Sequence, residues 1–177
     1  MLSKIKSIYL KTGLSNLISI VLIFVVLVYK GPQIFSNFML QSKKVDSVNV
    51  ERLSGELISF PIPDRKQIVI FWFTTCTPCK VEMQKMNRMI SEGKLRAENV
   101  IAINSFESKE VILEFLKTTP YQFLIALDLD GKLAEKFNVS STPTILFFDA
   151  DGSVSWATSG LSPTLEFRAK NFFPTKI

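Results

Sequence analysis

The only two cysteines in this 177-residue chain are Cys76 and Cys79, and the chain has no histidine. A thiolate can attack a disulfide, and a second cysteine three residues along the chain can then resolve the mixed disulfide. The lack of histidine excludes Ser-His-Asp and Cys-His catalysis, and it leaves a zinc site or a haem attachment motif incomplete. A purely structural bridge is the alternative, but it would close a very short loop for a small gain in entropy. The pair therefore predicts reversible thiol-disulfide chemistry.

Such chemistry needs a feature that stabilises a thiolate, and the surrounding pattern provides one. Residues 67 to 73 form a largely apolar run suited to a buried central strand. From Cys79 to about residue 92, apolar residues recur at helical spacing, with Met83, Met86 and Ile90 on one face. The cysteines should therefore sit where a strand turns into a helix, beside the positive end of the helix dipole.

Within this junction we predict that Cys76 is the nucleophile, since it is nearer the exposed loop, and that Cys79 is the resolving cysteine one turn inward. Pro78 fits the first turn of a helix because it lacks an N–H group that would have no partner there. Lys80 would add a positive charge nearby. Met83, Met86 and Met89 are interpreted as packing residues, not as ligands.

The overall charge gives no sign of a polyanion-binding surface. The formal net charge is +5, from 21 basic and 16 acidic residues. Four of the basic residues lie in the first 30 positions, where there is no acidic residue, so the remainder has 17 basic against 16 acidic residues. No nucleic-acid partner is therefore predicted.

The first part of the chain is typical of a membrane anchor. Residues 12 to 29 are uncharged, and a helix over them reaches roughly 27 Å, close to the hydrocarbon thickness of about 30 Å. A cleaved signal peptide is the alternative, but residues 28 to 32 contain no small-x-small cleavage site. The lysines before the apolar run place the amino terminus in the cytoplasm. We predict a cytoplasmic basic segment at 1–11, a transmembrane signal anchor at 12–30, a tether at 31–46 and an extracytoplasmic domain at 47–177.

The remaining patterns predict an α/β domain with a mixed sheet flanked by helices. A hairpin is expected ahead of the main sheet, at residues 48–53 and 57–60. A helix over 107–117, with Val111, Phe115 and Leu116 inward, should form a crossover between parallel strands. The further strands are expected at 100–103, 123–127, 144–148 and 154–156, with a turn at Asp151-Gly152 and a closing helix at 163–173.

Residues 71 to 80, FWFTTCTPCK, resemble the thioredoxin superfamily, and most closely its membrane-anchored TlpA, ResA and DsbE branch. The similarity extends over about residues 46 to 172. Further matching pieces are residues 100–104, residues 128–139 and residues 147–152. The segment at residues 141–144, Ser-Thr-Pro-Thr, resembles the cis-proline loop of that family.

The resemblance implies a thioredoxin-like fold and a protein thiol-disulfide oxidoreductase. It implies that Pro143 is cis and packs beside the dithiol, that the Thr142 backbone pairs with an extended substrate segment, and that no metal or other cofactor is needed. Trp72 aligns with a tryptophan retained in the family, although a core role is the simpler interpretation. A bacterial inner-membrane location is implied, with the domain in the periplasm or extracytoplasmic space.

The implied partners are an exported protein with a disulfide, such as an apocytochrome awaiting cytochrome c maturation or a copper-site protein, and a membrane electron donor of the DsbD or CcdA type. A maturation factor for one client enzyme, similar to the methylamine dehydrogenase accessory protein, is an alternative. A non-catalytic partner-binding module is another. Peroxide reduction would require threonine where this chain has Phe73, and copper delivery would require wider cysteine spacing and histidine.

The chain departs from the family pattern at positions that matter for chemistry. Thr75 replaces the tryptophan usual before the first cysteine, and Ile70 stands where thioredoxin has a buried acid. Proton removal from Cys79 must therefore use water or another group. Glu82 matches a glutamate common in the branch but is interpreted as an exposed helix residue.

Overall fold

The computed structural model describes residues 16–29, 31–32, 35 and 44–173, and the chain divides into two compact units, Met1–Ser36 and Asn37–Ile177. In the first unit, residues 16–29 are helical and their side chains are exposed. Among the described residues, no helix has both the length and the apolar character needed to cross a membrane. The predicted anchor at 12–30 extends beyond the described residues at both ends, and the predicted segment at 1–11 lies wholly outside them.

The second unit is built on a seven-stranded mixed sheet with the strand order β2-β1-β5-β4-β3-β6-β7. The three inner strands β3, β4 and β5 are parallel, and all other neighbours are antiparallel. The strands are β1 Val48–Arg52, β2 Leu57–Phe60, β3 Gln67–Trp72, β4 Val100–Ser105, β5 Leu124–Asp128, β6 Thr144–Phe148 and β7 Val154–Ser159. The helices are α1 Thr77–Ser91, α2 Lys109–Thr118, α3 Lys132–Lys136 and α4 Leu165–Phe172, with a short 3₁₀ turn at Ala97–Asn99.

The central strands are buried on both faces, as the apolar run at 67–73 predicted. Every residue of β3 and β4 is buried. Helices α1 and α2 connect β3, β4 and β5, so the predicted crossover is confirmed. Strands that are parallel and covered on both faces carry their functional residues at their carboxyl ends.

A separate apolar core lies on each face of the sheet. On one face, α1, α2 and α4 contribute Cys79, the buried methionines of α1, Ile112 and Leu165. On the other face, Leu133 and Ala134 of α3 pack with side chains from β2, β3 and β6. The methionines predicted to be packing residues are therefore core residues.

The predicted hairpin is present, but it is part of the main sheet. Strand β1 pairs with β5 through Glu51 and Arg52, so β1 and β2 form one edge of the seven-stranded sheet. Gly55 supplies the positive φ of +90° in the turn between them. Pairing between β1 and β5 joins residues far apart in sequence, which a local pattern does not reveal.

Two helix predictions require correction. Val111 was expected to point inward, but it is 48% exposed, and Ile112 is the buried residue of that turn. At 100° per residue, Val111 lies roughly 90° from the centre of the stripe formed by Ile112, Phe115 and Leu116. Helix α3 was not predicted, because its five residues are too few for a periodic signal.

Substituting Phe137 with alanine should destabilise the domain by about 3–5 kcal/mol. Phe137 is fully buried at the end of α3, and its ring contacts Phe60, Phe71 and Phe148, with centroid distances of 6.0, 6.1 and 5.5 Å. Urea denaturation of both proteins measures the change in the free energy of unfolding. Phe167→Ala is the control, because Phe167 is 68% exposed and its loss should change stability by less than about 0.5 kcal/mol. Equal destabilisation by the two substitutions would contradict the core assignment.

Candidate active site

The candidate site lies at one edge of the sheet, where several strand ends meet. The parallel strands β3, β4 and β5 end there at Trp72, Ser105 and Asp128, and β6, which runs in the opposite direction, begins there at Thr144. Both sequence segments predicted to form the site flank these ends. The cysteines follow β3, and the proline loop immediately precedes β6.

Cys76 is the N-cap residue of α1. It holds this position because β3 ends at Trp72 and the helix begins only five residues later, at Thr77. Its backbone is extended, with φ −81° and ψ 100°, and its Sγ accepts a hydrogen bond from the Cys79 N–H at 3.2 Å. The two cysteines form a disulfide with a Cα–Cα distance of 5.2 Å. Cys76 is half-buried whereas Cys79 is fully buried, so a partner can approach only Cys76. The predicted strand-to-helix junction is confirmed.

The helix begins two residues earlier than predicted, at Thr77, and this places Pro78 in its first turn. A sulfur at the N-cap faces backbone N–H groups that have no partner within the helix, and these carry partial positive charge. No acidic residue occurs in the first turn of α1 as described. The surroundings of Cys76 therefore favour a thiolate once the disulfide is reduced.

Lys80 lies in the first turns of the same helix, next to α2. Its Nζ lies 5.1 Å from the centroid of the Phe115 ring, and that ring contacts Trp72 at a centroid distance of 5.5 Å. The ammonium group is thus held over an aromatic face. Trp72 is fully buried in the core shared with Cys79, which confirms its interpretation as a core residue.

A carboxylate that sequence reasoning did not single out holds the loop before Cys76. Glu107 accepts hydrogen bonds from the Thr74 N–H at 2.8 Å, from the Thr74 hydroxyl at 2.7 Å and from the Asn104 amide at 2.6 Å. Thr74 and Asn104 are buried, so these charge-assisted bonds fix the turn between β3 and α1. The sequence signal that could have identified it is an acidic residue two positions after β4, the strand that neighbours β3.

Glu82 is fully buried, so its interpretation as an exposed residue was wrong. One carboxylate oxygen, Oε1, accepts from the Ser162 N–H at 2.8 Å and from Lys85 Nζ at 3.0 Å. The other, Oε2, has no hydrogen-bond partner among the described residues. The segment between β7 and α4 covers this face of α1, and that tertiary contact is not visible in the helical pattern. Glu82 lies one helical turn from Cys79, on the same side of α1.

The peptide bond between Thr142 and Pro143 is cis, as the resemblance implied. The Pro143 carbonyl accepts a hydrogen bond from the Gly160 N–H at 2.7 Å, which ties the loop to the end of β7. Thr142 is partly exposed, and within residues 44–173 its backbone N–H and C=O groups make no hydrogen bond. Since Thr144 pairs with Phe71, the proline loop lies beside the end of β3, on the side of the sheet edge where the cysteines follow.

The Ile70 side chain is buried in the same core as Cys79, so no acid from β3 reaches that cysteine. Thr75, at the position of the missing tryptophan, is exposed. The only carboxylate that the described helix α1 buries is that of Glu82. The described part of α1 therefore buries one carboxylate, one helical turn from Cys79.

Comparisons with known proteins agree with this geometry. Residues 35–157 match the model of the AhpC/TSA family. The chain is 27% identical over 108 residues to sporulation thiol-disulfide oxidoreductase A of Bacillus subtilis, covering 59% of this chain and 66% of that protein. It is 27% identical over 124 residues to thiol-disulfide oxidoreductase ResA of the same species, covering 70% and 64%. The chain thus spans slightly less than two thirds of the length of these relatives.

The fold is also that of solved relatives. The crystal structure of StoA from Bacillus subtilis superposes with a TM-score of 0.62 at 22% identity, covering 72% of this chain and 96% of StoA. The thioredoxin domain of a thiol-disulfide oxidoreductase from Bacteroides vulgatus superposes with a TM-score of 0.64 at 14% identity, covering 75% and 96%. The thioredoxin-like fold and the ResA-type resemblance are confirmed. Since the family model matches more than half of its residues, this chain belongs to the AhpC/TSA family.

Proposed function

We propose that this chain is a thiol-disulfide oxidoreductase that reduces disulfides of exported client proteins through Cys76 and Cys79. The observation that carries the proposal is the half-buried Cys76 sulfur at the N-terminus of α1, bonded to the buried Cys79 sulfur. A reversible bridge needs one accessible sulfur and one protected sulfur. The names of the curated relatives support the same class of reaction.

In the proposed reaction the dithiol gives two electrons to the client. The Cys76 thiolate attacks one sulfur of the client disulfide, the client S–S bond breaks, and the other client sulfur leaves as a thiolate. Cys79 then loses its proton and attacks Cys76, the mixed disulfide breaks, and the second client thiolate leaves. The product is the Cys76–Cys79 bridge, which a membrane electron donor reduces again.

We assign Glu82 as the group that accepts the proton lost by Cys79. This carboxylate is fully buried one turn along α1 from Cys79, and its Oε2 is unpartnered in the described part of the chain. Cβ atoms at this spacing on a helix are about 5–6 Å apart, so the proton can pass directly or through one water molecule. Glu82 then accepts the proton that a carboxylate at position 70 of β3 would otherwise accept.

We assign binding of the client backbone to the loop at Thr142 and Pro143. The unpaired N–H and C=O groups of Thr142 can add one extended segment by main-chain hydrogen bonds. That arrangement would place a client disulfide against the exposed side of Cys76. A factor that matures a single client enzyme would use the same exchange, whereas a non-catalytic module would bind without cycling its dithiol.

The proposed setting is the outer side of the bacterial inner membrane, with residues 12–30 as a single anchor. The uncharged run at 12–29 and the lysines that precede it support this orientation. In an oxidising compartment a reductase needs a dedicated electron supply, which is why a membrane donor is part of the proposal.

Cys76→Ser should abolish exchange because it removes the attacking sulfur, and Cys79→Ser should accumulate mixed disulfides because nothing resolves them. Non-reducing gels of cells producing each variant measure these adducts. Adducts on Cys76→Ser would contradict the assignment of roles. The wild-type dithiol should also equilibrate reversibly with a glutathione redox series, and no transition in that series would leave only the binding module.

Glu82→Gln should slow resolution of the mixed disulfide by roughly 100-fold near about pH 6, because the proton acceptor is lost while the Ser162 hydrogen bond can persist. The deficit should shrink at higher pH, because hydroxide can then take the proton in place of the carboxylate. Stopped-flow measurement of the resolution step across pH tests this. Glu166→Gln is the control, since Glu166 of α4 is a partly exposed carboxylate paired with Arg88 of α1. A deficit that is independent of pH would argue against a proton-transfer role.

The full-length chain should remain in the membrane fraction after an alkaline carbonate wash. After mild reduction of intact spheroplasts, a membrane-impermeant maleimide should label Cys76, because the domain faces outward. The wash and the labelling together test both the anchor and its orientation. Extraction by carbonate, or labelling that requires lysis, would refute the proposed location.

A further inference from the structure

A small cavity opens at the site edge, on the face of the sheet that carries α3. Its volume is about 230 Å³, and its apolar wall includes Phe73, Phe106, Ala134 and Val139, with Ser141 and Thr142 at its rim. None of its lining residues is charged. The space is sufficient for one large apolar side chain, and a charged side chain would lose hydration there without gaining a partner.

The cavity is next to the reactive sulfur and to the proposed client-binding loop. The Phe73 carbonyl accepts a hydrogen bond from the Cys76 N–H at 3.1 Å, so one wall lies a single turn before the nucleophile. Thr142, whose backbone is assigned to pair with the client, forms part of the rim. Alternate side chains of an extended segment point to the same side. When a client cysteine faces Cys76, the side chains two residues away therefore also face the protein.

Phe106 forms one wall of the cavity, and both its exposure and its backbone conformation are energetically unfavourable. It is 65% exposed, and its φ is +69°, in the left-handed region that favours glycine. Its ring lies over Gly131, where a Cβ atom would come within 2.1 Å of it. A large apolar side chain that is exposed, held in an unfavourable backbone conformation and accommodated by a glycine is not explained by core packing.

We infer that this cavity is a specificity subsite for a large apolar side chain of the client, two residues from the client cysteine, with Phe106 as its determining wall. The inference rests on the proposed function, since the occupant is the protein whose disulfide is reduced. It narrows the substrate class to polypeptides with a residue such as leucine at that spacing. Small disulfides such as oxidised glutathione would not reach the cavity.

The test uses peptides with one cysteine activated as a mixed disulfide with thionitrobenzoate, whose release is followed by absorbance. The peptides differ only at the two positions two residues from the cysteine, which are leucine, serine or aspartate. Reduced wild-type protein should react roughly tenfold faster with the leucine peptide than with the serine peptide, and aspartate should be slowest. Oxidised glutathione is the probe that does not depend on the cavity.

Phe106→Gly should bring the ratio of leucine to serine rates close to one and leave the glutathione rate unchanged. Glycine suits φ +69°, so this variant should keep its melting temperature. Phe167→Ala, which removes an exposed phenylalanine from α4, should retain the tenfold preference. Equal rates for the three peptides in the wild type, or an undiminished preference in Phe106→Gly, would overturn the inference.

Failure of the proposed function has a different signature. If the reduced wild-type protein does not react with oxidised glutathione, the proposed oxidoreductase function is wrong, whatever the result for the subsite. The subsite can then be tested by calorimetry with the same peptides, in which serine replaces the cysteine. The wild-type protein should bind the leucine peptide more tightly than the aspartate peptide. The Phe106→Gly variant should bind the two peptides with equal affinity. Equal binding of both by the wild type would remove the subsite as well.

Discussion

The structure depends on one electrostatic arrangement, in which the Cys76 sulfur caps α1. A cysteine at an N-cap replaces the oxygen that usually accepts from the first N–H groups of a helix, and Sγ accepts from the Cys79 N–H at 3.2 Å. The capping interaction becomes stronger when the sulfur is charged, so the helix favours the reactive form. Pro78 removes one N–H group that would otherwise need a partner. The same turn brings Cys79 into bonding distance on the inner side.

The rest of the domain keeps that turn in place. Strand β3 is buried on both faces, and Glu107 binds Thr74 through its N–H and its hydroxyl, so the chain leaves the sheet in a fixed direction. The site edge also carries buried polar atoms without partners in the described range, on Trp72, Glu82 and Asn104. Such atoms are costly in a core, and they concentrate at sites of function. Unpaired buried polar atoms near the dithiol lower the stability of the domain, and the burial of apolar side chains in the two cores offsets that loss.

Features encoded by neighbouring residues could be predicted from the sequence, and features that depend on distant contacts could not. The range of β6 was predicted residue for residue, because residues 144–148 form an apolar run bounded by Pro143 and by the Asp151-Gly152 turn. The strand-to-helix junction followed from the change in hydrophobic period. By contrast, the burial of Glu82 depends on Ser162, 80 residues away, and the Glu107 bonds join it to Thr74, 33 residues away. The cis bond was obtained from the family resemblance alone, since local sequence favours trans.

In the proposed mechanism, Glu82 replaces the acid that is absent at Ile70. Glu82 belongs to the same helix as Cys79, so the helical repeat fixes their separation. The segment after β7 then orients this carboxylate, because the Ser162 N–H binds Glu82 while the Gly160 N–H binds the Pro143 carbonyl. The segment of residues 160–162 therefore contacts both the buried carboxylate and the loop assigned to the client.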